Sequence, residues 1–241
     1  FVAEDRVYVL SDTNYLVSLN RNSGDVVFSR DIAPVGFPVV SIDHYQGSIM
    51  AIIGNRLVQL NMQHGGEIKG RDMAFEATAP VARNRNYYYI PAVDNRLHVL
   101  RREDKIEMFE VAGDQTGQIT WVLAFENFVV FSTINGGIYS MAPDAPDKRW
   151  EFMAQGAVHG PIVRRGQGLY FSSEDTNLYC INIANGRLDW KYQTMAKLRE
   201  GPTVSEDTVY QFVQLDGLIA VDSENGGHRW TLVPGVSLLS Q

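Results

Sequence analysis

One cysteine, Cys180, occurs in the 241 residues. A single thiol excludes an intrachain disulfide, a CxxC redox pair and a multi-cysteine metal site. Set between Tyr179 and Ile181, it reads as a small buried hydrophobe. No apolar run is long enough to cross a membrane. No signal peptide is present and the first residue is Phe1, so a mature or trimmed stretch is expected, with any targeting signal or lipid anchor outside it. Positive charge is also scarce: 21 Lys and Arg against 28 Asp and Glu leave a net charge of −7. Phosphate backbones require a concentrated basic stripe, so nucleic acid is excluded as a partner. The basic pairs Arg83/Arg85, Arg101-Arg102 and Arg164-Arg165 fall in turns of different segments and read as solvated.

Catalytic spacings are missing too. His44, His64, His98, His159 and His228 show no H-x-x-x-H or similar ligand spacing. There is no G-x-S-x-G elbow, and Gly65-Gly66 and Gly136-Gly137 read as turn glycines. Nothing in the chain carries a sustained helical period. The hydrophobic share of 45% is ample for a packed core, and with 20% charged residues it excludes disorder.

What the chain does have is a repeat. Apolar pairs recur as Leu16/Leu19, Leu57/Leu60, Leu97/Leu100, Ile138/Met141, Leu178/Ile181 and Leu218/Val221, at a spacing of 40 or 41 residues. Twelve residues after the first anchor come Phe28, Phe109, Trp150, Trp190 and Trp230, with Lys69 in the second repeat. Pro38, Pro80, Pro161 and Pro202 open four of the units, and Thr120 takes that place in the fourth. In the fifth repeat, strands are predicted over 161–163, 169–173, 178–182 and 188–192, separated by Gly, Asn and Asp clusters that mark tight turns. Second strands such as 49–53 and 128–131 are nearly continuous apolar runs, so both of their faces should be covered. Four strands and about 40 residues per unit is the size of a β-propeller blade.

The expectation is therefore an all-β chain with one domain over 1–241, a β-propeller of six four-stranded blades. The alternative is a fragment of a seven- or eight-bladed propeller. Residues 1–8 align with 203–210, and a ring would close if 236–240 paired near Phe1 and Val2.

The third turn and fourth strand of each unit carry a resemblance. The fifth reads Ile181-Asn182-Ile183-Ala184-Asn185-Gly186-Arg187-Leu188-Asp189-Trp190, and the sixth ends Asn225-Gly226-Gly227-His228-Arg229-Trp230. With Gly160-Pro161 and Gly201-Pro202, this resembles the tryptophan-docking repeat of PQQ-like, quinoprotein-type β-propellers. The resemblance implies that Phe28, Phe109, Trp150, Trp190 and Trp230 dock one blade on the next. The catalytic branch of that family implies eight blades, a vicinal disulfide, a quinone and a calcium ion. With Cys180 alone and no obvious calcium set, this chain is expected to be no enzyme and to hold no cofactor and no metal. The remaining branch implies a BamB-like, non-catalytic protein-interaction scaffold outside the cytoplasm, periplasmic or outer-membrane-associated in a bacterium. Its partners would be other proteins, such as an envelope assembly or secretion component. BamB-like proteins generally have eight blades, against six here.

First strands of propellers line the channel, so the residues entering them are the place to seek a site. Gln118, His159, Arg199 and Glu200 make a candidate polar funnel at the channel mouth, for a small ligand or a partner. The plainer reading has them solvated or paired with one another. A ligand-binding or sensory propeller of a larger envelope protein is the alternative function.

Overall fold

A computed structural model of the chain describes residues 1–33, 37–214 and 216–233. The segment 236–240, expected to pair near the N-terminus, lies outside the described residues. Two compact units form, Phe1–Val81 and Ala82–Gln241.

The first unit holds two sheets. One comprises β1 (Val2–Ala3), β2 (Arg6–Leu10), β3 (Tyr15–Asn20) and β4 (Val26–Asp31), the other β5 (Val39–Tyr45), β6 (Ser48–Ile53), β7 (Arg56–Asn61) and β8 (Glu67–Asp72). The second unit holds four. The third sheet comprises β9 (Ala82–Arg83), β10 (Tyr87–Pro91), β11 (Arg96–Arg101) and β12 (Glu107–Ala112), and the fourth β13 (Ile119–Ala124), β14 (Val129–Thr133), β15 (Gly137–Met141) and β16 (Lys148–Met153). The fifth comprises β17 (Val163–Arg165), β18 (Gly168–Ser172), β19 (Asn177–Asn182) and β20 (Leu188–Gln193), and the sixth β21 (Thr203–Ser205), β22 (Thr208–Val213), β23 (Gly217–Asp222) and β24 (His228–Leu232). Every sheet is an antiparallel meander whose strands pair in chain order. Among the described residues there is no helix.

The six-bladed, all-β expectation holds at the level of these sheets, and most predicted strands agree to within a residue. One difference is local. The first strand of the fifth sheet begins at Val163 and not at Pro161. Proline has no N–H for a ladder. Gly160 and Gly201 also pass too closely, backbone against backbone, for either to carry a side chain.

Burial follows the strand order. Strands β6, β14 and β18 are buried at every position, whereas the last strand β24 is exposed throughout. The cores lie between sheets. In the first unit, Tyr8 and Leu16 pack with Ile49, Val58 and Leu60. In the second, Tyr89, Leu97 and Val99 meet Phe131 and Tyr139; Val130 and Ile138 meet Phe171 and Ile181; and Tyr170 and Trp190 meet Val209 and Val221.

The third turn has one geometry in five of the six sheets, the fourth being the exception. The N–H of Gly186 donates to the Asn182 carbonyl at 2.8 Å, and the same bond recurs at Gly24, Gly65 and Gly226. Lys105 replaces glycine in the third sheet and takes the left-handed backbone itself, at φ 64°. A bulge then opens the fourth strand of every sheet, for example between Cys180 and Ile181. In the first, fourth and fifth sheets the aromatic ring that follows lies over the next sheet's turn glycine. Trp150 donates its Nε1–H to the Ile183 carbonyl at 3.0 Å, and Trp190 donates to the Ser223 carbonyl at 3.0 Å. Tyrosines on second strands reach the corresponding carbonyls: Tyr8 to Met62 at 3.0 Å, Tyr89 to Pro143 at 2.9 Å and Tyr170 to Ser223 at 3.1 Å.

Two comparisons test this geometry. Replacing Trp150 with Phe removes the donor to a part-buried carbonyl and should cost about 1–3 kcal/mol. Trp190→Phe should cost less, because Tyr170 still donates to Ser223; urea unfolding followed by circular dichroism would rank the two. Both Gly186 and Gly24 have positive φ, so alanine costs about 1–2 kcal/mol of backbone strain at either. At Gly186 the added methyl would also lie 2.5 Å from the Trp150 ring, while at Gly24 it meets nothing within 4 Å. Gly186→Ala is therefore the more destabilising of the two, measured the same way.

Candidate functional site

In an antiparallel meander, the start of the first strand, the end of the second, the start of the third and the end of the fourth share one end of the sheet. In the fifth sheet this gathers the entering loop (154–162), the β18–β19 hairpin and the leaving loop (194–202). The hairpin holds both loops. Ser173 donates its hydroxyl to the Gly156 carbonyl at 2.9 Å, and the Gln155 N–H donates to Asp175 Oδ2 at 2.8 Å. On the other side, Thr194 donates its hydroxyl to the Thr176 carbonyl at 2.9 Å, and the Leu198 N–H reaches the Ser173 carbonyl at 3.3 Å. Leu198 is buried beneath the leaving loop, while Met195 stands outside it, 88% exposed.

Glu174, at the hairpin tip, is the hub of the cluster. Its carboxylate accepts from Arg199 Nε at 2.9 Å and Lys197 Nζ at 3.1 Å, and lies 3.1 Å from His159 Nε2. Hydrogen bonds from Lys197 and then Arg199 hold its carboxyl at about 2. Burial would raise the neighbouring Asp175, but donation from Tyr179 and Asn177 and from two backbone N–H groups brings it below the ordinary carboxylate range.

Of the four predicted funnel residues, His159 and Arg199 thus converge on Glu174. Glu200 follows in the same loop, its carbonyl accepting from Gln211 Nε2 at 3.1 Å. Gln118 lies in the loop entering the fourth sheet, exposed, with its carbonyl accepting from the Ile134 N–H at 2.9 Å. There the polar centre is Asp114, which accepts from Thr133 Oγ1 at 2.7 Å and Asn135 Nδ2 at 3.1 Å. Sequence reasoning singled out none of Asp114, Glu174 and Lys197.

The five predicted docking rings are placed differently. Phe28 and Phe109 are partly buried against their cores, and the Phe28 ring covers Gly65. Trp150 and Trp190 cover Gly186 and Gly226, and Trp190 is 7% exposed. Trp230 is 43% exposed and tilts against Tyr210 at 5.9 Å between ring centroids.

A second polar cluster, unforeseen from the sequence, lies in the third sheet. His98, buried on β11, has Nε2 3.0 Å from Asp94 Oδ2 and Nδ1 2.5 Å from Glu107 Oε1 and 3.8 Å from Glu110 Oε2.

Six consecutive four-stranded meanders, with cores between neighbouring sheets inside each unit, define a protein of the β-propeller class. The family model described as outer membrane protein assembly factor BamB matches residues 114–239, just over half of the chain, and the chain belongs to that family. Similar solved structures include BamB from Moraxella catarrhalis, with a TM-score of 0.75 and 16% identity, covering 96% of this chain and 71% of that one. The computationally designed Ika8 protein is also similar, with a TM-score of 0.70 and 12% identity over 96% of this chain and 70% of that one. No curated protein sequence matches the chain.

The Glu174 clamp has a pH signature. Its folded carboxyl titrates at about 2 rather than the ordinary 4.5, so the clamp is complete above pH 4.5 and is lost as pH falls through about 2. Amide exchange in 155–159 and 194–200 should rise over that window, and Glu174→Gln should show raised exchange in 194–200 that no longer changes across it.

Proposed function

We propose that the protein is a non-catalytic, extracytoplasmic interaction scaffold of the BamB type, whose partner is a protein of outer-membrane assembly. Family membership supports the class of partner. The observation that carries the reading to residues is the loop leaving the fifth sheet. It is pinned from beneath by Thr194 and Leu198 and presents Met195, Lys197 and Arg199 outward. A fixed loop with an exposed thioether flanked by long cations suits docking to a protein surface, because little loop entropy is lost on association. His159 and Arg199 are both engaged with Glu174, which favours this reading over an open funnel for a small ligand.

Cross-linking from a photoreactive residue at Met195, in the native cell envelope, tests it. The expected product joins this protein to an assembly component, and Lys197→Glu combined with Arg199→Glu, with the photoreactive residue kept at 195, should reduce recovery of that component at least about tenfold, the loss of roughly one hot-spot side chain. Undiminished recovery from the folded double variant would sink the proposal.

A further inference from the structure

The His98 cluster is built from one buried imidazole and three carboxylates on a hairpin and two strands. His98 and Glu110 are direct cross-strand partners on β11 and β12. The bulge between Val99 and Leu100 omits Met108 from the ladder and brings Glu107 to the same ring. Arg96 Nη1 donates to Glu110 Oε1 at 2.5 Å, so it is Oε2 that faces the imidazole. The position is unusual within the repeat. Counted from the third-strand anchors, His98 corresponds to Val17, Val58, Tyr139, Tyr179 and Ile219. The third sheet alone places a metal-ligating nitrogen there, 4% exposed, with carboxylates on both sides of the ring.

We propose that His98 Nδ1, Glu107 and Glu110 bind a divalent transition-metal ion, with Zn²⁺ the best chemical match, and that Asp94 holds the ring through Nε2–H. An imidazole with two carboxylates suits a borderline cation, whereas Ca²⁺ and Mg²⁺ select all-oxygen sets. A carboxylate on the far nitrogen is the common outer-sphere arrangement for a metal-bound histidine, fixing tautomer and ring orientation. Tetrahedral zinc sets ligand atoms about 3.3 Å apart. Glu110 Oε2, at 3.8 Å from Nδ1, would close in slightly, and Glu107 Oε1, at 2.5 Å, would move outward. Both glutamates are semi-exposed, which gives the ion a path from solvent. A carboxylate only accepts, so the Nδ1–Glu107 contact now contains a proton; the metal takes its place and that proton leaves to solvent.

The test is calorimetric titration of Zn²⁺ into the whole chain, in two buffers of different ionisation enthalpy, with Ca²⁺ as control. One Zn²⁺ per chain, release of about one proton and a raised unfolding temperature are expected. His98→Val, which installs the residue of the first two sheets, should fold and lose the uptake. Asp94→Asn should weaken it about 10–100-fold while leaving the stoichiometry intact. No stoichiometric uptake by the native chain, uptake undiminished in His98→Val, or preference for Ca²⁺ would each overturn the assignment.

Discussion

The structure depends on one kind of carbonyl, the one two residues beyond the second apolar anchor of a repeat. Met62, Pro143, Ile183 and Ser223 occupy that place, and each accepts a hydrogen bond from an aromatic side chain of the preceding sheet. A backbone acceptor withdrawn from water needs a donor, and here the donor is also the large ring that fills the core between the sheets. One contact therefore sets both register and burial. Where the fourth-strand ring is Phe28 or Phe109, which has no N–H, Tyr8 or Tyr89 supplies the bond. Beside Val130 the donor is Trp150, and in the fifth sheet Tyr170 and Trp190 share Ser223. The second sheet has Met50 and Lys69 at these two positions, neither of them an aromatic donor.

What was legible in the sequence was whatever recurs at the repeat length. The anchors, the turn glycines and the strands of the fifth repeat could be placed because six copies average out local noise. The tyrosine donors were hidden because they lie inside continuous apolar runs, where nothing in the composition says which face a side chain takes. Lys105 could not be foreseen as a stand-in for glycine, since a left-handed backbone is uncommon for a long side chain. The polar clusters were hidden for a different reason. Glu174 meets residues 15 to 25 positions away, through loops whose folding depends on the hairpin itself. His98 meets Glu107 and Glu110 across a hairpin and a bulge, and its i, i+4 spacing from Asp94 is no ligand motif on a strand.

Both clusters use the hairpin between second and third strands, but they extend from it in different directions, one into the loops and one onto the strands, and have different characters. Around Glu174, cations outnumber the carboxylate and extend into solvent beside Met195, on loops that the repeat leaves free to vary. Around His98 the excess is acidic and the imidazole lies in a position that the other sheets fill with apolar or tyrosine side chains. The repeat thus supplies rigid strands that need little individual specification, and individuality is concentrated in a few positions per sheet. That division is how one fold class accommodates unrelated roles.

The ring-to-carbonyl bond also has a direction along the chain. Trp150 finds its acceptor 33 residues downstream, and Tyr8 finds its own 54 residues downstream. During synthesis from the N-terminus, a sheet that has fully left the ribosome still exposes its rings until most of the following repeat has emerged. Nascent copies thus pass through one-sheet-wide aromatic faces at the first, third, fourth and fifth sheets, each capped by the next segment translated. The pace of elongation, and any chaperone that shields such a face in the interval, then bears on the yield of folded protein as directly as the stability of the finished sheets.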